Sequence, residues 1–362
     1  MKIGKIIKRS VGLVNVLFIC LMLLVAYSER VSPMEHPTLS LVGLTFPIFA
    51  LINAGFLLFW LLIAQWKYAL LPFIGFLLCG SQIRATFPLN LWRSNPPEAH
   101  LKLLSYNVMS FDGDKKENGQ NPILNYLKES EADIMCLQEF IVSGKSQYLT
   151  QRDVDKALKA YPYKHVSKEN PHMACYSKYP ILSVTPLHAK NSRNGAFAYE
   201  IAAGEDTLLV INCHLESNRL TKEDKATYED IIEAPETAKV KEGIRLFTRK
   251  LGENAAKRAP QAERVAKAIA ESKHPHVIAM GDFNDSPASF SYNKIMHNLK
   301  DAFRCSGKGT GTTYIGKDFP SYRIDYIAHD KQFNDFQYTV CRDLNISDHY
   351  PIYTYISIVK KD

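Results

Sequence analysis

The sequence has no Gly-x-Ser-x-Gly elbow, no Walker A loop and no Cys-x-x-Cys pair. The first absence argues against a covalent enzyme intermediate on a serine nucleophile. The second argues against nucleotide-driven action, and the third leaves no thiolate zinc site. There is no internal repeat, and 18 Gly and 18 Pro in 362 residues are too few for a collagen-like or disordered chain. The seven cysteines are odd in number and irregularly spaced, so they do not form a disulfide framework, and those inside apolar runs read as core thiols.

Charge is absent from two long N-terminal runs, Val11–Tyr27 and Leu39–Gln65, and a third apolar stretch, Tyr68–Ile83, is bounded by Lys67 and Arg84. A span needs about 20 apolar residues. The reading is a membrane anchor over residues 1–92 with two to three transmembrane helices, near 11–27, 39–65 and 68–84. The first run has a basic flank, but Ala26-Tyr27-Ser28 lacks a small-x-small cleavage site and more apolar helix follows, so it reads as an uncleaved anchor. Lys2, Lys5, Lys8 and Arg9 keep the N-terminus cytoplasmic. Three spans then place the rest of the chain outside, giving a multi-pass protein of the cell inner membrane with a periplasmic domain; two spans would keep that domain inside. Asn15 and Asn53, lone amides in the apolar runs, read as interhelical hydrogen bonders. Residues 1–97 hold eight basic and two acidic side chains, and the remainder 36 basic against 35 acidic. The basic excess therefore belongs to the anchor and is not a nucleic-acid footprint.

Residues 93–100 read as a linker and 101–362 as one domain. Short apolar runs alternate there with helical patterns: Leu101–Val108, Ile134–Gln138, Ala174–Ser177, Ile181–Val184, Phe197–Ala202, Thr207–Cys213, Val277–Met280, Ile324–His329 and Tyr350–Val359 as strands, Pro122–Ser130 and Asn218–Ser272 as helical stretches. The mixture predicts an α/β or α+β domain with a β core and helices outside.

Polar groups follow the apolar runs: Ser105-Tyr-Asn107, Gln138-Glu139, Asn212-Cys-His214, Gly281-Asp-Phe-Asn284 and Ser347-Asp-His349, with Arg323-Ile-Asp325 where a strand begins. Strands ending this way gather carboxylates, amides and two imidazoles at one rim. That set suits a hard divalent cation, Mg²⁺ or alternatively Mn²⁺, together with acid–base work on a phosphate ester.

The ordered pieces LLSYNV, DIMCLQE, INCHLES, IAMGDFND, RIDYI and SDHYP resemble the endonuclease/exonuclease/phosphatase superfamily, of deoxyribonuclease I-like fold, over roughly residues 98–359. The resemblance implies a four-layer α/β sandwich of two packed mixed β-sheets. It implies Glu139 as principal Mg²⁺ ligand, with Asn107 supporting the metal or the phosphate and Asp348 as a second ligand. Asp282 would orient or deprotonate water, and Asn284 would steady the phosphorane. His349 would contact the phosphate with Asp325 fixing its tautomer, and His214 would share the acid–base work. Met109 departs from members with an acid there; Asp112 or Asp114 are substitutes from the loop. Asn194 and Arg258 are further candidates for substrate contact, and His165, His172, His188 and His274 read as structural. The implied activity is a membrane-anchored, metal-dependent phosphodiesterase or nuclease-like hydrolase. The alternatives are a lipid or inositol phosphate phosphatase, a sphingomyelinase-like phospholipase, and a non-catalytic binding member. The implied partners are a phosphoester substrate (nucleic acid, phospholipid head group or small phosphoester) and the lipid bilayer, with no protein partner.

Overall fold

The apolar N-terminal runs form helices that are continuous where the sequence offers no break. The computed structural model describes residues 2–88, 90–92, 94–114, 121–143, 149–189, 192–233, 237–315, 322–344 and 346–358. Helix α1 spans Lys2–Tyr27, a short α2 Pro37–Ser40, α3 Phe46–Leu62, α4 Trp66–Leu78 and α5 Gly80–Thr86. Two segments, Gly4–Arg30 and Pro37–Leu62, are long and apolar enough to cross a membrane. The third stretch differs from the single span read from the sequence: α4 and α5 are bent by 71° at a break. Alone, the 13 residues of α4 reach only about 20 Å, short of a hydrocarbon core of about 30 Å. The two lone amides meet as their chemistry requires. Asn15 Nδ2 donates to Asn53 Oδ1 at 3.3 Å, and Trp60 Nε1 donates to Asn15 Oδ1 at 3.0 Å, tying α1 to α3.

Beyond the linker, the apolar runs become strands of two six-stranded sheets. The first contains β1 (Leu101–Asn107), β2 (Ile134–Gln138), β3 (Tyr163–Val166), β4 (Met173–Ser177), β11 (Phe333–Val340) and β12 (Ile352–Ile358), in the order β11-β12-β1-β2-β4-β3. The second contains β5 (Ile181–Pro186), β6 (Gly195–Ala203), β7 (Asp206–His214), β8 (His276–Asp282), β9 (Lys300–Asp301) and β10 (Asp325–His329), in the order β5-β6-β7-β8-β10-β9. Both sheets are mixed: β1 and β2 run parallel, as do β7 and β8, among antiparallel neighbours. The helices are α6 (Met109–Asp114), α7 (Pro122–Glu129), α8 (Gln151–Ala157), α9 (Lys222–Glu233), α10 (Thr237–Ala270), α11 (Phe290–Met296) and α12 (Ala302–Ser306).

Side chains alternate across each strand, so every inner strand serves two cores. Leu103, Ile134, Cys136, Val210, Ile278 and Met280 fill the space between the sheets. Their neighbours Leu104, Met135 and Leu137 face α7 and α8, with Ile123, Leu127 and Val154 opposite. Ile211, Val277 and Ala279 face α10 and α11 through Ala262, Val265 and Ile295. This is why the strands read as unbroken apolar runs, and it gives four layers. Cys136, Cys175 and Cys213 are buried thiols in these cores.

Candidate active site

Register, rather than proximity in sequence, assembles the site. Parallel pairing of β7 with β8 sets His214 beside Asp282, and antiparallel pairing of β8 with β10 sets Asp325 on the other side of Asp282. In the first sheet, β1 pairs Asn107 with Gln138, so Glu139 follows at the same rim. The sheets are joined beneath the rim by buried amides. Gln138 Nε2 donates to Asn212 Oδ1 at 2.7 Å, and Asn212 Nδ2 donates to the Ala174 carbonyl at 3.0 Å. Gln138 and Asn212 stood at strand ends in the sequence, but only their cross-sheet bond reveals a positioning role.

Asp282 is the centre. Its Oδ1 accepts from the Asn284 amide nitrogen at 2.8 Å, and its Oδ2 accepts from Asn284 Nδ2 and Asn107 Nδ2, each at 3.2 Å. His349 Nε2 and His214 Nε2 stand 3.7 and 3.9 Å from the same oxygen. His349 Nδ1 lies 2.8 Å from Asp325 Oδ2. Glu139 joins from the other sheet, its Oε1 accepting from Asn107 Nδ2 at 3.1 Å and lying 3.6 Å from His214 Nε2. Glu139 and Asn284 have φ of 51° and 52°, a left-handed conformation that costs energy in non-glycine residues and concentrates at functional sites.

Burial separates the protonation states. Loss of water raises the Asp282 carboxyl to about 7, with His349 opposing and Asp325 reinforcing the shift. Burial alone would lower His349, but Asp325 and Asp282 outweigh it and hold the imidazolium up to about 10. His214 is pushed down by burial, against the pull of Glu139. Burial also raises Asp348.

The sequence-derived metal set is only partly gathered. Asn107 and Glu139 touch, but through the Asn107 NH₂, while Asn107 Oδ1 accepts from the Met109 nitrogen at 3.1 Å. Asp348 is half-buried, with Oδ1 3.5 Å from the Ser347 hydroxyl. Among the described residues, the group of three or more acid and imidazole side chains whose ligand atoms all lie within 4.8 Å of one another is Asp282, Asp325 and His349. Asp325 Oδ1 is buried without a hydrogen-bond partner, and Glu139 is 40% exposed at the cleft. Such oxygen donors, one buried without a partner and one open to the cleft, with no sulfur ligand, fit a hard divalent cation.

A cleft of about 310 Å³ opens beside Glu139 and His214, lined also by His172, Arg193, Asn194 and Arg219. Asn194 Nδ2 lies 3.4 Å from His214 Nε2 and donates to the Leu215 carbonyl at 3.3 Å. His172, a structural histidine on the sequence reading, is a wall of this cleft, and the two arginines were missed altogether. Arg193, adjoining the candidate Asn194, was the available signal. Arg258, by contrast, does not reach substrate. It is 2% exposed, paired with Asp285 at 2.7 Å, and donates to the Glu216 carbonyl at 2.7 Å and Asn218 Oδ1 at 2.6 Å, so its donors are committed to holding the rim loops. Asp112 sits in α6, where Met109, Ser110, Phe111 and Asp112 all have φ between 42° and 55°, forming a left-handed turn. The side chain of Asp114 lies outside the described residues.

Residues 104–349 match the model of the Endonuclease/Exonuclease/phosphatase family, and residues 8–86 match that of a domain of unknown function. No curated protein matches. Among solved structures, beta toxin 275-280 from Staphylococcus aureus is 17% identical, covering 70% of this chain and 99% of its own, with a TM-score of 0.46. An endonuclease/exonuclease/phosphatase family protein from Bacteroides thetaiotaomicron is 18% identical, covering 71% and 95%, with a TM-score of 0.48. Truncated Caenorhabditis elegans TDP2 is 17% identical, covering 71% and 97%, with a TM-score of 0.47.

Proposed function

Because this chain belongs to the endonuclease/exonuclease/phosphatase family, we propose that it is a membrane-anchored, divalent-metal-dependent phosphoesterase in which water attacks the phosphoester directly. The observation that carries the reading is Asp282: one buried carboxylate held by two amides and faced by two imidazoles, one of which, His214, lines the cleft that bears Arg193 and Arg219.

In this reading, ionised Asp282 orients the attacking water and takes its proton, and the Asn107 and Asn284 amides fix the carboxylate. His349, cationic at neutral pH, balances charge growing on the phosphate, and Asp325 orients its ring and stabilises the imidazolium. His214, kept neutral by burial, takes from Asp282, 3.9 Å away, the proton removed from water and passes it to the leaving oxygen. Arg193 and Arg219 attract the anionic substrate. Glu139 would hold the divalent ion, with Asn107 and Asp348 as supporting ligands; Mg²⁺ or Mn²⁺ there would neutralise phosphate charge.

The way the ends of the anchor meet the domain supports a topology. Gly43 lies against the Ala288 carbonyl, Arg323 Nη2 donates to the Ala85 carbonyl at 2.6 Å, and Asn90 Nδ2 donates to the Gly307 carbonyl at 2.8 Å. The opposite end carries Lys2, Lys5, Lys8, Arg9 and Lys67. With basic residues retained inside, three crossings put the catalytic domain outside the cytoplasm, in the periplasm of a cell with an inner membrane. The bend between α4 and α5 is then one broken span. The seating of the rim loop at Ala288 on the anchor favours a phospholipid head group over nucleic acid or a small phosphoester.

The test is hydrolysis by the full chain in nanodiscs, with Mg²⁺ or EDTA, against phospholipids, sphingomyelin, phosphoinositides, DNA, RNA and bis-p-nitrophenyl phosphate. Metal-dependent turnover lost in Glu139→Gln and His349→Gln supports the reading. Turnover that persists in both variants or in EDTA rejects it, and none on any substrate turns it toward a binding-only member.

A further inference from the structure

Helix α10 has 34 residues, about 50 Å at 1.5 Å per residue, far longer than the sheet it covers requires. One face of its C-terminal two thirds lies along the anchor. Gly252 packs on Pro37, where an added Cβ would sit 3.1 Å from the proline ring. Ala255 lines a small cavity with Pro33, Ser40 and Leu41. Ala266, Lys267 and Ala270 line a larger one, about 580 Å³, with Arg30. At 100° per residue, Ala270 is in line with Gly252 and the other three lie within about 60° of that line. Contacts at both Gly252 and Ala270 mean that the helix lies across the outer end of the anchor rather than standing on it.

The same line runs on into the first third of α10, past the anchor's edge. There it passes through Lys241, Arg245 and Arg249, each within about 60° of Gly252, and all three are exposed, with exposed Ile244 beside them. The reverse side of this segment is covered by α9. Gly243 is buried there against Ile231, Phe247 meets the Tyr228 ring edge-on at 6.2 Å, and Lys250 pairs with Asp224 at 2.6 Å. Helix α9, on that reverse side, is net acidic in sequence, with Glu223, Asp224, Glu229, Asp230 and Glu233 against Lys222 and Lys225, and Glu242 flanks the stripe. The hairpin thus has a net acidic side on α9 and an exposed basic stripe on α10 toward the side on which the anchor enters the bilayer.

We propose that Lys241, Arg245 and Arg249 rest on the anionic phospholipid headgroup layer of the membrane that holds the anchor. This rests on the reading of residues 1–92 as a membrane anchor. An amphipathic basic helix in continuity with a transmembrane bundle is attracted to anionic lipid by charge and held by a shallow apolar side chain, here Ile244. The contact bears on the active site, because α10 also carries the cleft wall: Asn254 Nδ2 donates to the Asn218 carbonyl at 2.8 Å and Arg258 to the Glu216 carbonyl at 2.7 Å. Lipid beneath the hairpin would fix the residue 215–219 loop relative to the bilayer.

The experiment is hydrogen–deuterium exchange of the full chain in nanodiscs of phosphatidylcholine alone, or with roughly one third phosphatidylglycerol. Exchange over residues 237–249 is expected to slow roughly three- to tenfold in the anionic discs, and Lys241→Glu/Arg245→Glu/Arg249→Glu is expected to abolish the difference. Residues 253–270 report folding: unchanged exchange there in the variant means that lost protection is a lost contact and not an unfolded helix. Equal exchange in both lipids overturns the proposal. So does protection that arises only when a single-stranded oligonucleotide is added, which would make the stripe a nucleic-acid surface. Failure of the chain to enter discs of either composition overturns the anchor reading, and this proposal with it.

Discussion

His349 bridges two buried carboxylates: its Nδ1 lies 2.8 Å from Asp325 Oδ2 and its Nε2 lies 3.7 Å from Asp282 Oδ2. Asp325 therefore fixes which nitrogen faces the reacting centre and favours the imidazolium. Replacing Asp325 with Asn keeps the shape and removes the charge. The expected result is a fall in kcat of roughly 10²- to 10⁴-fold, with the far-ultraviolet circular dichroism retained and the alkaline limb of the pH profile moved toward neutrality. An unchanged alkaline limb would show that Asp325 does not act through His349.

The pH profile has a defined sign. Asp282, raised to about 7, must lose its proton to act as base, so the rate rises as pH passes through about 7. His349, raised to about 10, must keep its proton, so the rate falls as pH passes through about 10. The kcat/KM profile is expected to be a broad bell between these limits. In Asp282→Asn, the acidic limb near 7 should vanish with most of the activity.

Gly281 has no tolerated substitute. Its φ is +135°, and an added Cβ would collide with the Cys213 backbone of the adjacent strand. Gly281→Ala is expected to cost about 3 kcal/mol or more, combining strain with displacement of β7 from β8. Denaturant unfolding measures this, and a loss under about 0.5 kcal/mol would mean that the backbone relaxes freely.

The two-sheet domain and the N-terminal helices share a seam. Arg323 is 4% exposed, pairs with Asp301 at 2.8 Å and donates to the Ala85 carbonyl at 2.6 Å. Arg323→Ala removes the counter-ion of the buried Asp301 carboxylate, which keeps hydrogen bonds from the Tyr292 hydroxyl and the Phe303 nitrogen, and is expected to cost about 3 kcal/mol. A fragment starting at residue 98 loses the Ala85 partner but keeps Asp301. It should melt below the full chain while Arg323→Ala destabilises both, as paired melting curves would show.

Arg193 and Arg219 line the cleft beside Glu139 and His214. Arg193→Ala is expected to raise KM roughly tenfold and leave kcat within about threefold, because it removes binding shared by ground and transition states. Arg219→Ala should act similarly but less, since Arg219 already pairs with Glu216 at 2.6 Å. A fall confined to kcat would assign Arg193 to the transition state instead.

The identities of the central site residues were legible because each stands where an apolar run stops, and β-registry then aligns His214, Asp282 and Asp325 in a row. Alternation across two buried faces also made the strands visible as runs. The two helices long and apolar enough to cross a membrane were legible by length and lack of charge, but the break between α4 and α5 was not, because hydropathy does not mark it.

What the sequence by itself determined, then, is the set of elements and the chemistry placed at their ends, since both follow from local periodicity. The tertiary structure alone decided how long side chains are used. Arg258 serves loops and not substrate, His172 faces the cleft and not a core, and Arg323 reaches a carbonyl 238 residues away. A guanidinium or an imidazole suits a core, a seam or a ligand equally well, and which one it meets depends on loops and packing that no local pattern encodes.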